Sequence, residues 1–268
     1  MSYPGTRTNH DIDYRIYGEE MQYVEIELDP EETAIAEAGA FLLMDDGIQM
    51  QTIFGDGSGQ EKGIMGKLFS AGKRLLTGES LFMTAFTNME RGKKRVSFAS
   101  PYPGKIIPMD LSQLNGRLIC QKDSFLCAAK GVSVGIALQR RLGTGLFGGE
   151  GFIMQKLEGD GMAFVHAGGH VFERALQAGE SLKVDTGCVV AYTSEVEFDI
   201  QFVGGIRNTI FGGEGLFFAT LRGPGKVWMQ TLPISRLAGR ILSYGSVRRK
   251  EEGSLLGGIG NMLDGDGV

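Results

Sequence analysis

The feature that most constrains the fold of this chain is an internal repeat. The stretch FGGEGFIMQKLEGDGMAFVH begins at position 147, and FGGEGLFFATLRGPGKVWMQ begins at position 211, 64 positions later. The same offset holds upstream without a gap, where RLICQKDSFLCAAKGVSVGIALQ (117–139) aligns with SLKVDTGCVVAYTSEVEFDIQFV (181–203). A repeat of this length predicts supersecondary units that bury their apolar faces against one another.

A third, weaker copy comes first in the chain. TAIAEAGAFLLM (33–44) aligns with SLKVDTGCVVAY (181–192), and TGESLFMTAFTN (77–88) aligns with GGEGFIMQKLEG (148–159). The first copy carries about 13 extra residues between these parts, and the Gly-rich GDGSGQEKGIMGK near 55–67 is the obvious insert. We therefore predict three β-modules, at 12–105, 106–169 and 170–234, followed by a Gly-rich C-terminal tail over 235–268.

Short strands dominate each copy. VSVGIALQ (132–139), VEFDIQFV (196–203) and YVEIEL (23–28) alternate apolar with small or polar residues, as strands buried on one face do. Gly pairs and Gly-x-Gly stand between them, where the chain must turn. The best helical candidate is GKLFSAGKRLL (66–76). The pattern predicts an all-β chain of three tandem modules with a pseudo-threefold arrangement, because neighbouring modules would cover strand edges and enlarge a limited core.

Composition narrows the functional class. The 42 glycines among 268 residues are roughly twice the average usage and act as punctuation between apolar runs. Three widely spaced cysteines offer no disulfide framework, which fits a reducing compartment. The N-terminus shows no signal-peptide pattern, and no apolar run is long enough to span a membrane. We expect a cytoplasmic protein, and its net charge of −5 argues against nucleic acid as a partner.

The FGGEG stretches invite comparison with phosphate-binding loops. A dinucleotide site needs its glycines to open a helix whose N-terminus holds the phosphate. Here the following residues, FIMQKL (152–157) and LFFATL (216–221), have the pattern of strands. The glycines are therefore interpreted as turn residues, and no cofactor is expected.

The segments RLLTGESLFMTAFTN (74–88) and GGIRNTIFGGEGLFFATLRGPGKVWMQTLP (204–233) resemble the altered inheritance of mitochondria family over roughly residues 12–236. The resemblance implies three modules, each a β-sandwich of the short double-stranded β-helix type, similar to the subunit of the trp RNA-binding attenuation protein. Eukaryotic relatives are linked to mitochondrial organisation. The resemblance implies no catalytic residues, and a shared fold does not transfer RNA or tryptophan binding.

Candidate catalytic groups are few. HAGGH places His166 and His170 on either side of a turn with Glu173 nearby, a minimal set for a metal site, and His10 lies in a polar N-terminus. Ser80 aligns with glycines in the other two copies, so its position requires a small residue rather than a nucleophile. The cysteines, Cys120, Cys127 and Cys188, align with core positions and are interpreted as small buried hydrophobes.

Two sets of residues are candidates for interaction rather than catalysis. One glutamate, Glu79, Glu150 or Glu214, stands at the same place in each copy. The three could share a cation on a central axis, or each could bind turn N–H groups or a neighbouring arginine. The segment 62–76 combines Lys67, Lys73 and Arg74 with apolar residues. It could lie on an anionic membrane or in a partner's groove, or cap the first module.

Two smaller features complete the survey. RGKKR (91–95) is a basic cluster near Phe98 and Tyr102, with the pattern of a solvated hairpin tip. Aromatic and basic surfaces also bind single-stranded nucleic acid. The tail contains LLGGIGNML (255–263), an apolar stretch that could dock on another subunit or partner.

These observations favour a non-enzymatic structural or interaction protein that forms a homo-oligomer, with a trimer of nine modules in a ring as one arrangement. The partner protein is not identified by the sequence. An alternative is a module that binds RNA or a small ligand at the junctions between repeats. A metal-dependent β-helix enzyme is a third hypothesis, supported only by HAGGH.

Overall fold

The alternating segments of the sequence form strands. The computed structural model describes residues 12–37, 39–54, 82–140, 152–203, 216–242 and 244. Within these ranges the chain has nineteen strands, three 3-10 turns and one helix over 234–242. The predicted all-β class is confirmed. The insert near 55–67 and the helical candidate 66–76 lie outside the described residues.

The strands fall into three successive groups of six, which we call the first, second and third repeats. An additional strand, β1 (Asp13–Tyr17), precedes the first repeat. The first repeat comprises β2 (Tyr23–Leu28), β3 (Thr33–Glu37), β4 (Phe41–Met44), β5 (Ile48–Phe54), β6 (Phe82–Asn88) and β7 (Lys94–Ala99). The second comprises β8 (Gly104–Asp110), β9 (Arg117–Gln121), β10 (Phe125–Ala129), β11 (Ser133–Arg140), β12 (Phe152–Glu158) and β13 (Met162–Gly168). The third comprises β14 (Val171–Leu176), β15 (Ser181–Asp185), β16 (Val189–Thr193), β17 (Glu197–Val203), β18 (Leu216–Arg222) and β19 (Gly225–Gln230).

Each repeat divides its strands between two antiparallel sets. The sixth strand lies between the first and third, giving the orders β2-β7-β4, β8-β13-β10 and β14-β19-β16. The fifth strand lies between the fourth and second, giving β5-β6-β3, β11-β12-β9 and β17-β18-β15. The module boundaries 12–105, 106–169 and 170–234 stay a prediction, but this strand order recurs three times.

Sets from successive repeats join edge to edge. Strand β3 pairs with β10, so β5-β6-β3 and β10-β13-β8 form one six-stranded sheet. Strand β9 pairs with β16 and forms a second six-stranded sheet in the same way. In the first junction Cys127 lies opposite Ala36, and in the second Ala191 lies opposite Cys120. The repeats are thus held together by continuous hydrogen-bonded sheets as well as by side-chain packing.

The pairing registers confirm the alignment of the three copies. The third strand of each repeat carries a register shift at the same place, between Phe41 and Leu43, between Phe125 and Cys127, and between Val189 and Ala191. A shared β-bulge of this kind fixes equivalent positions, because one extra residue shifts every later side chain.

Three apolar clusters form the core. One lies mainly in the first repeat and includes Val24, Phe86 and Phe98. A central one includes Leu118 and Phe125, and one shared by the second and third repeats includes Phe152 and Leu221. The central cluster takes residues from all three repeats, from Ile35 to Trp228. Burial of these side chains is the dominant stabilising term.

The helix over 234–242 was not predicted, because the sequence from 235 onward has the composition of a Gly-rich tail. The carbonyl oxygen of Pro233 accepts hydrogen bonds from the N–H groups of Arg236 and Leu237 at 3.0 and 3.2 Å. Arg236 also pairs with Asp185 at 3.1 Å, which ties the helix to the third repeat. Proline suits the start of a helix because it has no N–H that needs a partner there.

Candidate functional site

Two strands, β4 and β15, lack a partner across a junction between repeats, whereas their counterparts have one. Strand β4 is the edge of the sheet β1-β2-β7-β4, and β15 is the edge of the sheet β15-β18-β17. The counterparts of β4, which are β10 and β16, each pair with another repeat. The counterparts of β15, which are β3 and β9, provide those partners. Edge strands expose unpaired N–H and C=O groups that can pair with another chain.

The side chains of β4 are exposed where those of its counterparts are buried. Phe41, Leu42 and Leu43 are 41%, 47% and 49% exposed. The counterpart residues 125–127 in β10 are 4%, 3% and 0% exposed, and residues 189–191 in β16 are all 0% exposed. Three consecutive large apolar residues on an open edge form a short apolar patch of the kind that marks interaction sites. We call residues 41–44 the β4 edge.

The β15 edge, residues 181–185, shows the same contrast. Leu182 and Val184 are half-buried against the core of the third repeat, and Lys183 between them is exposed. Their counterparts Leu118 and Cys120 in β9 are 0% exposed, because β16 covers them. The two edges are therefore complementary. The counterparts of β4 pair with the counterparts of β15 at both internal junctions.

A cleft lies at the junction of the first and second repeats. Its volume is about 450 Å³. Apolar walls come from residues 125–126 and from Ile234 of the C-terminal helix. Polar walls come from Glu37, Ser100, Tyr102, Asp123 and His166.

His166 is the most buried polar group of the cleft wall. It lies in β13 and is 2% exposed, its Nδ1 is 2.9 Å from the Ser100 hydroxyl, and Tyr102 meets its ring edge-on at 4.5 Å. Gly104 makes room for the ring, since a Cβ there would lie 2.7 Å from Nε2. Burial lowers the pKa of His166 to about 4, so the imidazole is neutral at pH 7.

The basic cluster RGKKR (91–95) occupies the turn between β6 and β7 and the start of β7. Lys93 pairs with Glu27 at 2.7 Å and with Asp13 at 3.2 Å, and Arg95 pairs with Glu27 at 3.3 Å. Hydrogen bonds from Lys93 and Arg95 lower the pKa of the Glu27 carboxyl, and the carboxylates of Glu27 and Asp13 raise the pKa of the Lys93 ammonium group. The cluster is an exposed turn, as predicted, but it is not the tip of a hairpin, because β6 and β7 lie in different sheets. Lys93 and Arg95 face acidic partners from β1 and β2.

Sequence comparison places this architecture in a family. The model of the family described as mitochondrial biogenesis AIM24 matches residues 14–232. The chain belongs to this family. An uncharacterized protein of Streptococcus pyogenes serotype M6 is 30% identical over 225 residues, which cover 82% of this chain and 86% of that protein.

A solved structure shares the AIM24 fold. The X-ray structure of a Streptococcus pyogenes protein aligns with a TM-score of 0.66 at 22% identity, covering 87% of this chain and 99% of that one. This likeness concerns the fold alone. The resemblance to the family seen in the sequence is confirmed; the similarity to the trp RNA-binding attenuation protein and the double-stranded β-helix stay predictions.

The interaction residues predicted from the sequence lie outside the described residues. This holds for the repeated glutamates and for the basic segment, that is, for Glu79, Glu150, Glu214, Lys67, Lys73 and Arg74. The stretches after the FGGEG motifs are strands β12 and β18, as predicted. Strands in these positions are inconsistent with the helix that a dinucleotide site requires there.

The histidines of this AIM24 chain do not gather a metal-binding set in the part that the structure describes. His166 lies in the cleft wall, while the exposed His170 stacks on Phe172 at 6.4 Å. Across the described ranges, no group of three or more His, Cys, Asp or Glu side chains is arranged to hold a metal ion. In the same ranges, no helix is long and apolar enough to cross a membrane.

The cysteines behave largely as predicted. Cys120 and Cys127 are 0% exposed, and burial raises the pKa of both thiols. Cys188 is half-buried, with its sulfur 3.7 Å from Arg236, and burial also raises its pKa. A raised pKa keeps a thiol protonated and therefore poorly nucleophilic.

Sequence reasoning missed both the open edges and the cleft. The edges have a sequence signal: Phe-Leu-Leu-Met at 41–44 stands where the second copy has Phe-Leu-Cys-Ala at 125–128. The larger residues at 43 and 44 mark a strand in a different environment from its counterpart. The cleft has no comparable signal, because its walls come from distant parts of the chain.

Proposed function

We propose that this protein is a non-enzymatic structural or interaction protein whose copies associate head to tail, with β4 of one copy added to β15 of the next. The observation that supports the proposal is the pair of unmatched edges. Every other set of three strands that begins or ends at a junction is joined to a set from the neighbouring repeat. Among the described strands, β4 and β15 are the two whose counterparts pair across a junction between repeats while they themselves have no such partner.

The two internal junctions supply the geometry of the proposed contact. Cys127 faces Ala36 in the first junction and Ala191 faces Cys120 in the second. Leu43 corresponds to Cys127 and Ala191, and Val184 corresponds to Ala36 and Cys120. The proposed junction therefore pairs Leu43 with Val184 and Met44 with Lys183. The product is a third six-stranded sheet core, ordered β17-β18-β15-β4-β7-β2, with β1 added outside.

The proposed contact is heterologous, because it joins the first repeat of one copy to the third repeat of another. Such contacts generate a closed ring when the rotation between copies closes, and an open filament when it does not. The trimer of nine repeats expected from the sequence is one closed solution. Closure would leave each copy with no open junction edge.

The chemistry of the buried thiols supports a role without catalysis. Cys120 and Cys127 lie in the strands that join the repeats, and burial holds their thiols in the protonated form. Their small side chains permit close approach of the paired strands. They contribute to packing at the junctions rather than to nucleophilic attack.

Cysteine trapping tests the proposed register. Two variants are made in a Cys188→Ser background, one with Leu43→Cys and one with Val184→Cys, and they are mixed and oxidised. Residues directly opposite in an antiparallel pair have Cβ atoms about 4.5–5.5 Å apart, close enough for a disulfide after small adjustments. We expect a disulfide-linked heterodimer on a non-reducing gel, formed only in the mixture.

The matched control replaces Leu43→Cys by Met44→Cys, mixed with the same Val184→Cys partner. Successive side chains of a strand point to opposite faces, so this pair should not be trapped efficiently. Equal trapping of both pairs would show non-specific collision. Absence of any trapped product, with monomeric wild-type protein in sedimentation at tens of micromolar, would refute head-to-tail association.

A further inference from the structure

Lys183 sets the β15 edge apart from the strands that form the internal junctions. It lies in the middle of this edge, and its side chain is exposed. Its counterparts in β3 and β9 are Ile35 and Ile119, which are 1% and 8% exposed. Association through β15 would bury position 183 in the same way. A lysine buried there needs a partner for its charge, because an unpaired charge is costly to remove from water.

A carboxylate stands just beyond the other open edge. Asp46 lies in the turn between β4 and β5, and its side chain is exposed. Its counterpart in the second repeat, Lys130, donates its N–H to the Thr33 carbonyl at 3.0 Å across the first junction. This hydrogen bond continues the pairing of β10 with β3 by one residue. The same continuation at the open edges would place Asp46 opposite Ser181 of the other copy.

The proposed register brings the two charges to the same face of the joined sheet. Lys183 of one copy lies opposite Met44 of the next, and Asp46 lies two residues beyond Met44, diagonally across from the lysine. Diagonal neighbours on adjacent antiparallel strands are about 7–8 Å apart, which a long side chain can span. The lysine stem would cover the half-buried Met44, and its ammonium group would reach the carboxylate at the exposed end of the strand.

The internal junctions have no such pair of charges on this diagonal. The equivalent positions are Ile35 and Lys130 at the first junction, and Ile119 and Ser194 at the second. Neither junction combines an acid with a base there. Opposite charges on this diagonal therefore distinguish the contact between copies from the contacts within one chain.

We propose that Lys183 of one copy forms an ion pair with Asp46 of the next, and that this pair fixes the register of the head-to-tail contact. The inference rests on the proposed function. Within the part of the chain that the structure describes, neither side chain has an ion-pair partner of its own. A slip of two residues that placed Lys183 opposite Leu42 would leave the lysine without a carboxylate. The ion pair therefore opposes this slip.

Sedimentation velocity over a concentration series tests the ion pair. Asp46→Asn should raise the dissociation constant between copies about tenfold, between the small effect of an exposed ion pair and the large effect of a buried one. Raising the salt concentration from about 0.05 M to about 0.5 M should weaken association of the wild type as well. Glu197→Gln is the matched control, because its carboxylate is 77% exposed and lies outside the residues of both open edges. It should leave the dissociation constant unchanged.

A second variant isolates the pair from other effects of the substitution. Lys183→Ile places the residue of the internal junctions at the open edge, so it should associate at least as tightly as the wild type. In this background Asp46→Asn should change the dissociation constant less than about twofold, because the charge that the carboxylate serves is gone. Both positions are exposed in the single chain, so these variants should fold.

The outcomes separate this inference from the proposed function. If the wild type associates and the Leu43–Val184 disulfide forms, but Asp46→Asn keeps the wild-type dissociation constant, the head-to-tail contact stands and the ion pair is absent. If the wild type stays monomeric at tens of micromolar and no disulfide forms, the contact fails and the ion pair with it. A full effect of Asp46→Asn in the Lys183→Ile background would overturn the assignment of Lys183 as the partner.

Discussion

Replacing Leu43 by lysine should weaken association between copies about 100-fold. Leu43 lies in the middle of the β4 edge and is 49% exposed in the single chain. Its counterparts in the two internal junctions, Cys127 and Ala191, are 0% exposed. Association through this edge would therefore bury the remaining half of the leucine, and it would bury the lysine stem in the variant.

The magnitude follows from these exposures. Full burial of a leucine contributes about 1.5–3 kcal/mol, so burial of its exposed half contributes about 1 kcal/mol. Placing an ammonium group in a largely buried position costs about 2 kcal/mol more. This cost is moderate because the flexible lysine stem lets the charge reach towards water. The sum is about 3 kcal/mol, which corresponds to about 100-fold in the dissociation constant.

Sedimentation velocity over a concentration series measures the effect directly. Met89→Lys is the matched control, because Met89 is 63% exposed and lies after β6, outside the residues of both open edges. The control should sediment like the wild type, while Leu43→Lys should shift towards the monomer. If Leu43→Lys and the wild type show the same dissociation constant, the β4 edge is not the contact and the reasoning from counterpart burial is wrong.

Three further predictions concern stability and reactivity. Asn88→Ala should lower the free energy of unfolding, measured in urea, by about 3 kcal/mol. The buried Asn88 amide donates to the carbonyls of Leu28 and Gly92 and accepts from the Glu90 N–H at 2.7–2.9 Å. A loss below about 1 kcal/mol would contradict this prediction. The pKa of His166 is about 4 in the folded state and near 6.5 when the chain is unfolded. The unfolded chain therefore binds a proton at His166 more readily, and the free energy of unfolding falls by up to about 3 kcal/mol as the pH drops from about 6.5 to about 4. His166→Gln should reduce the difference in urea stability between pH 7 and pH 4.5, whereas His170→Gln at the surface is the control; an unchanged difference in His166→Gln would refute the assignment. Cys188 should react with a thiol reagent in the native protein, whereas Cys120 and Cys127 should react only after unfolding, since they are 0% exposed. Simultaneous reaction of all three cysteines in the native state would argue against the described packing.

The repeat in the sequence predicts much of the strand pairing. Aligning Phe41, Phe125 and Val189 from sequence alone places three β-bulges in register, as the structure has them. This succeeds because a strand's alternation and its turn glycines are local features that duplication preserves. Which strands then join different repeats depends on contacts between distant segments, and the alternation alone does not encode them.

The C-terminal helix shows where composition misleads. Ile234, Leu237, Ala238 and Ile241 recur with helical spacing, so a periodic signal exists. The many glycines further along the tail favour a coil, and Gly239 lowers the intrinsic helix propensity of the segment itself. Tertiary contacts decide the outcome: Pro233 packs against Gly187, and Arg236 pairs with Asp185.

The cleft and its histidine could not be predicted from spacing. Glu37, Tyr102, Asp123 and His166 come from both of the first two repeats and meet only after β3 has paired with β10. In the sequence, His166 appeared as half of a candidate metal pair with His170. Its environment is instead set by Ser100 and Tyr102, which lie more than 60 residues earlier.

The residues at the equivalent junction positions differ between contacts within one chain and the proposed contact between separate copies. Where one chain supplies both strands, the opposite residues are small, Cys127 with Ala36 and Ala191 with Cys120. At the open edges, the positions that would face each other are occupied by Leu43 and Val184. Repeats within one chain meet at a high effective concentration, so their contact needs little apolar area of its own. Separate copies must offset the loss of translational and rotational freedom, which requires more buried apolar surface. Larger apolar residues at position 43 and position 184 are what a contact between separate copies needs, and a strand that stayed open to water would gain nothing from them.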